Sequence, residues 1–303
     1  MLEGLRGVVL MAYGTPATPA DIAAFYTHIR RQRRPSPEQL AELEARYEAI
    51  GGTSPLAART RAQASALAEA LGDEWVTVLG NKHAEPFIEA AVREVAASGA
   101  RTVVGLVLAP HTAALSTSEY HARAREVAVP AGMVYRQVGA YGDHPALVEL
   151  LARRVKDAHD RFAAGTRVRT VFTAHSLPER ALGYDRPSYP DQLTATAAAV
   201  AAQAGVDDWQ IAWQSAGRTD DPWVGPDIRD VITGLPAQGV EGVLVCPAGF
   251  VSDHLEVLYD IDIEARRVAE EAGVVLERTE SLNDDPAFVA LLADLVRQAA
   301  ASR

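Results

Sequence analysis

The sequence predicts an α/β protein built from two similar, doubly wound domains whose parallel sheets lie around a central cleft. Three observations lead there. Short runs rich in β-branched residues alternate with longer segments rich in alanine, glutamate and arginine, the pattern of strand-helix-strand units. Runs such as VVGLVLA and GVLVCPA are apolar at every position, as strands become when helices cover both faces of their sheet. The two halves repeat the same alternation, so each half is expected to form one Rossmann-like unit.

Taken in order, the β-branched runs predict strands at 5–13, 75–80, 102–109 and 133–137 in the first half. The second half offers 167–175, 209–214, 242–248 and 274–278. Between them, PSPEQLAELEARYEAIGG reads as a helix opened by proline and serine and stopped by glycines. Further helices are expected at 54–71, 85–97, 145–164, 190–204, 255–272 and 286–301. The segment 139–145, with two glycines and a proline, marks the passage between domains, giving units of 1–142 and 143–303 with a last helix free to pack back on the first. Sheets of this winding bind ligands beyond the carboxyl ends of their strands, so the loops there hold the chemistry.

Composition narrows the classes of function. With 303 residues, 48% hydrophobic and 23% charged, the chain can bury a sizeable core and is not a disordered or low-complexity sequence. Twenty-nine basic against 40 acidic residues give a net charge of -11, which disfavours a broad nucleic-acid or anionic-membrane surface. The single cysteine, Cys246, makes no intramolecular disulfide and by itself holds neither an iron-sulfur cluster nor a thiolate zinc site. A reducing, cytoplasmic setting fits that usage. The apolar run at the N-terminus is broken by tyrosine and glycine and reads as a first strand, not a signal peptide. No stretch approaches the roughly 18 apolar residues of a membrane span.

Three loops at predicted strand ends are rich in reactive groups: MAYGTP at Tyr13, TAHSLPER at His175, and CPAGFVSDHLEVLYDIDIEA from Cys246. His175 stands where the apolar strand VFTAH gives way to a turn, a place from which imidazole can ligate a transition metal or take up a proton; a histidine that merely caps its strand is the competing reading. Glu256, Asp260 and Glu264 follow in steps of four, which puts three carboxylates on one helical stripe about 6 Å apart. Such a row offers hard oxygen ligands to a divalent ion, or else is a solvated acidic face. Leu255, Val257 and Leu258 place Glu256 at the buried end of that row. Arg30, Arg31, Arg33 and Arg34 cluster in HIRRQRRP, and ARYEAIGGTSP adds Arg46, Tyr47 and Ser54. Guanidinium forks suit an anionic substrate, the alternative being a basic helix end that complements its dipole. Neither G-x-G-x-x-G nor G-x-x-x-x-G-K-[ST] follows the first strand, and Ser176 lacks the G-x-S-x-G elbow, so nucleotide binding and acyl transfer are unsupported.

Taken together, LMAYGTP, THIRRQRRP, RYEAIGGTSPL, KHAEPFIEAAV, TAHSLPER, WQSAGRTDDPWVGPDI and GFVSDHLEVLYDIDIEA resemble the ferrochelatases of haem biosynthesis. They look most like the soluble Gram-positive type that inserts ferrous iron into coproporphyrin III. The resemblance runs in one order from Tyr13 to Glu264. It implies that His175 and Glu256 face each other at the metal site and that Tyr13 ligates the product iron from the opposite face. It further implies porphyrin and propionate contacts from Arg30, Arg46, Tyr47, Ser54 and Tyr120, and an outer metal site of Arg46, Asp260 and Glu264. Coproporphyrin III and Fe²⁺ are then substrates, no resident cofactor is expected, and downstream haem-pathway enzymes are the expected partners. Two departures stand out. Many relatives read P-H-F-S where this chain has Pro110, His111, Thr112 and Ala113, and some carry a cysteine-ligated [2Fe-2S] cluster that Cys246 alone cannot hold. Alternatives are a protoporphyrin IX ferrochelatase, a non-catalytic haem or coprohaem carrier, and a cobalt chelatase acting on an early tetrapyrrole.

Overall fold

Each half of the chain winds into its own parallel sheet. The computed structural model describes residues 4–114, 116–183, 187–217 and 219–302. In the first half, β1 (Arg6–Ala12), β2 (Trp75–Asn81), β3 (Thr102–Val107) and β4 (Val134–Gln137) line up in the order β2-β1-β3-β4. In the second, β5 (Val168–His175), β6 (Trp209–Gln214), β7 (Gly242–Cys246) and β8 (Val275–Arg278) repeat that order as β6-β5-β7-β8, and every pairing is parallel. Val9 lies beside Val78 and Gly105, and Phe172 beside Ile211 and Cys246. Val8 through Met11 are wholly buried, which is what helices on both faces require of a continuously apolar strand. The winding reverses between β1 and β3 and again between β5 and β7. Sheets wound in this way bind ligands beyond the carboxyl end of each reversal.

The expected strand 102–109 stops at Val107, three residues before Pro110, and 242–248 stops at Cys246, directly before Pro247; neither proline brings an N–H to a ladder. The helices are α1 (Ile22–Ile29), α2 (Pro37–Ala49), α3 (Leu56–Leu71), α4 (Ile88–Ala97), α5 (Thr117–Ala128), α6 (Pro145–His159), α7 (Tyr189–Ala204), α8 (Ile228–Gly234), α9 (Leu255–Leu258), α10 (Arg266–Ala272) and α11 (Pro286–Ala301). Three of them, α1, α5 and α8, were not expected from the sequence. Two are only one or two turns long, and α5 buries mainly small or polar-tipped side chains (Tyr120, His121, Ala124, Ala128), so its apolar period is faint.

The single helix expected over 255–272 is broken. Between α9 and α10 the residues Asp260–Ala265 form a π-helical turn, in which Glu264 N–H donates to the carbonyl of Tyr259 at 2.9 Å. A step of five in place of four takes the acidic row off a single straight stripe. Asp260, not Glu256, is its most buried member.

One hydrophobic cluster runs through both halves, joining Leu10, Val104 and Leu106 of the first sheet to Phe172, Leu244 and Cys246 of the second through side chains of α3, α6, α7 and α11. The last helix, α11, packs against α3, and Arg297 there donates to the carbonyl of Ala70 at 2.6 Å. Among the described residues no helix is long and apolar enough to cross a membrane.

Candidate active site

His175 is the last residue of β5, behind five wholly buried residues, Thr170 to Ala174, that fix where it emerges. Its Nδ1 bonds the carbonyl of Ser176, so the ring presents Nε2 outward. Tyr189 Oη donates to the carbonyl of His175 at 3.2 Å, steadying the same residue from α7. Glu256 arrives from the loop after β7, in the single turn of α9, and its Oε1 lies 3.4 Å from His175 Nε2. Its other oxygen lies 3.5 Å from Nε2 of His254, whose Nδ1 donates to the carbonyl of Ser252 at 2.9 Å. Gln214 Nε2 donates to the Glu256 carbonyl at 2.9 Å, tying α9 to the end of β6.

The electrostatics follow from that packing. Burial opposes charge on both partners, but the Glu256 carboxylate beside His175 outweighs it and holds the imidazole up at about 9. In turn His175 and His254 overcome the burial of Glu256 and keep its carboxyl well below the usual carboxylate range. At neutral pH the free site therefore holds an imidazolium-carboxylate pair.

Tyr13 follows β1, at the carboxyl end of the first sheet. Gly14 next to it has φ +89°, and a Cβ there would stand 2.8 Å from that of Ala84, so the turn that presents Tyr13 requires glycine. Tyr13 is 43% exposed as a residue, and its ring packs 4.6 Å from the ring of His83, centre to centre. Burial of the phenol oxygen and then the charge of Glu256 push its pKa up. Tyr47 is buried, 3.3 Å from Thr15 Oγ1, and is pushed up to about 12 by burial, with Glu256 adding to the shift. Tyr120 is buried beneath the Lys82 ammonium, 5.0 Å above its ring. Burial raises Tyr120 and Tyr189, and Glu256 adds to both shifts. Four tyrosines thus feel one carboxylate.

Asp260 pairs with Arg46 Nη2 and accepts from Ser215 Oγ. Burial raises its pKa to about 6, Arg46 opposing the rise and Glu256 and Glu264 adding to it. Arg46 also lies over the Tyr259 ring at 4.6 Å, and its Nε is buried without a partner. The other expected residues engage elsewhere. Glu264 stands 4.0 Å from Arg229, Ser54 Oγ accepts from Leu56 N–H at 3.2 Å and so opens α3, and Arg30 covers the Tyr26 ring at 5.5 Å with a buried, unpartnered Nε. Among the described residues no three His, Cys, Asp or Glu side chains are arranged to hold a metal by themselves.

The structure thus gathers His175, Glu256, Tyr13, Tyr47, Tyr120, Arg46 and Asp260 near the carboxyl ends of the two sheets. It adds residues the sequence reading did not single out: His254, Tyr189, Ser215, Gln214, and the pair His28 and His83, whose Nδ1 atoms are 3.0 Å apart. His254 was the most accessible of these, two positions before Glu256 in SDHLE. Tyr189 and Ser215 are brought in only by tertiary folding.

Comparison with known proteins agrees with this fold. The ferrochelatase family model matches residues 5–300. The coproporphyrin III ferrochelatase of Anoxybacillus flavithermus is 44% identical over 98% of this chain and 96% of its own length. That of Bacillus subtilis is 42% identical over 96% of each chain. Among solved structures, SirB from Bacillus subtilis with Fe³⁺ superposes with a TM-score of 0.59 at 16% identity, covering 98% of this chain and 96% of that one. CbiX, the terminal enzyme for siroheme biosynthesis in denitrifying bacteria, gives 0.57 at 18% identity, covering 98% and 100%. At such identities these two speak for the shared fold only. A match that spans almost the whole chain, with twin parallel sheets set around the gathered histidine, carboxylate and tyrosines, leads to one assignment: this chain belongs to the ferrochelatase family.

Proposed function

We propose that the protein inserts Fe²⁺ into coproporphyrin III, forming coprohaem and releasing two protons. The observation that carries this reading is the His175-Glu256 pair at 3.4 Å, standing at the carboxyl ends of the second sheet with its charge felt by Tyr13, Tyr47 and Tyr120 of the first. His175 serves as a ligand for entering Fe²⁺, a base for pyrrole protons, or both; either role needs its Nε2 lone pair, which an approaching cation frees by driving off the shared proton. Glu256 balances the charge through that exchange. Tyr13 ligates the product iron from the other face. Arg30, Arg46, Tyr47, Ser54 and Tyr120 line the macrocycle and its carboxylates, and binding energy from those carboxylates holds the ring bent so that its nitrogen lone pairs face the metal. Arg46, Asp260 and Glu264 form a staging point for the ion once Asp260 lets go of Arg46.

The same reading divides the chain into 1–142, which holds the porphyrin carboxylates, and 143–303, which delivers the metal. It places the protein in the cytoplasm, with no resident cofactor, handing its product to later haem-pathway enzymes. The test supplies metal-free coproporphyrin III or protoporphyrin IX with Fe²⁺ anaerobically and follows the visible spectrum. Faster metallation of coproporphyrin III is expected. Binding without metallation of either would make the protein a carrier instead.

A further inference from the structure

Glu256 sits in a helix of four residues, Leu255–Leu258, too short to hold its own position in water. Beside the bond from Gln214 to its carbonyl, its placement opposite His175 depends on what grips the two ends of that turn. The end of β8 and the segment that follows it grip both. On the far side, Arg278 forks onto Asp262 of the π-helical turn at 2.7 and 2.9 Å. On the near side, Asn283 closes a ring of bonds on the strip immediately before His254. Its N–H donates to the carbonyl of Val251 at 2.8 Å, its Oδ1 accepts from Asp253 N–H at 3.0 Å, and its Nδ2 donates to Asp253 Oδ2 at 2.9 Å. Ser281 Oγ donates to the other Asp253 oxygen at 2.7 Å. Asn283 meets these partners at φ +48°, a left-handed backbone that asparagine tolerates better than most residues.

The grip extends into the first half of the chain. The wholly buried Gln63 of α3 donates to the Asn283 carbonyl at 2.7 Å and accepts from Ser252 Oγ at 3.2 Å. Thus one amide from the first unit and one from the last connection, themselves bonded to each other, hold residues 251–253. We propose that Asn283 is a positioning residue for metal insertion, a clamp that sets His254 and Glu256 against His175. The proposal rests on the reading of His175 and Glu256 as the metal-inserting pair.

Asn283→Gly isolates the clamp, because glycine takes the same φ without strain and keeps the backbone bonds to Val251 and Gln63. With Zn²⁺ and anaerobic Fe²⁺ as metals, kcat/KM for the metal should fall about tenfold while coproporphyrin affinity stays within about twofold. Asn283→Asp sets a second carboxylate against Asp253 and should lose more. Adding Asp253→Asn to it restores a donor facing an acceptor and should return kcat/KM to within about threefold of native. Native metal kinetics in Asn283→Gly, an equal loss of porphyrin affinity, or failure of Asp253→Asn to rescue Asn283→Asp would each overturn the clamp. Glu256→Gln is measured alongside. If it metallates normally, the reading of the pair falls and the clamp with it; if it is inactive while the Asn283 variants are native, the clamp alone falls.

Discussion

His175 and Glu256 share one proton's worth of charge, and the consequences are measurable. His175→Ala removes both the lone pair and the counter-charge, so iron insertion should drop by at least about a hundredfold while porphyrin still binds, checked by single-turnover metallation and porphyrin fluorescence. Because the imidazole is held up at about 9, kcat/KM for the metal should rise with pH until His175 loses its proton near that value. Linkage gives a companion expectation for stability. The raised His175 pKa adds stability that is complete below about 6.5 and lost as pH climbs through about 9, whereas the depressed Glu256 pKa adds stability present above about 4.5 and lost on acidification. The difference in melting temperature between native protein and Glu256→Gln should therefore be widest between about pH 4.5 and 6.5 and shrink towards pH 9 and above. A gap that is flat across that range would mean the two groups do not titrate as a pair.

At the scale of elements, helix caps govern how firmly the site's first-half residues are presented. Ser36 Oγ accepts from Gln39 N–H at 3.2 Å while Gln39 Oε1 accepts from Ser36 N–H at 3.1 Å, a reciprocal cap that opens α2 and so seats Arg46 and Tyr47 about three turns on. Ser36→Ala should cost about 1 kcal/mol in a denaturant titration and leave metal insertion nearly unchanged, since the far end of α2 is pinned separately by Arg46 on Asp260. The PSPEQ signature of this cap was plain in the sequence. The π-helical turn was not: nothing in DIDIEA distinguishes a five-residue step from a four-residue one, and only the anchoring of Asp262 by Arg278 and of Asp260 by Arg46 and Ser215 accompanies the extra residue.

For the molecule as a whole, the two halves are joined by buried polar contacts as well as by the shared core. His111, from the loop after β3, bonds Thr196 Oγ1 of α7 at 2.9 Å, and the side-chain amide of Gln192 accepts from Thr112 N–H at 2.9 Å and donates to its carbonyl at 3.0 Å. Burial lowers both His111 and His121 to about 4, so between about pH 6.5 and 4 the unfolded chain binds more protons than the folded one and stability falls as pH falls. The loss should be on the order of 3 kcal/mol for each histidine by pH 4. Urea titrations of native protein and His111→Gln from pH 7 to 4 would read it as a shallower pH slope in the variant; equal slopes would remove His111 as a source. Phe288 of α11, wholly buried in the shared core, tests the joint from the apolar side: Phe288→Ala should cost about 3–5 kcal/mol in the same measurement.

Much of this protein was legible in its residues one after another. Continuous apolar runs dictated buried parallel strands, because only a strand covered on both faces can omit polar residues, and the repeat of that pattern dictated two sheets. His175 stood out because a polar side chain at the end of such a run has to emerge at the carboxyl edge, and Glu256 as the first of three carboxylates spaced by four, while the facing of the two was what the family resemblance implied. Tertiary structure decided what meets across the fold: His254 and His175 on the two oxygens of one carboxylate, Tyr189 beneath the histidine, Arg46 on Asp260 from 214 residues away, and Asn283 on the strip before the short helix. Those contacts depend on how sheets and loops from both halves pack in three dimensions. A sequence read by local period and spacing carries no record of that packing.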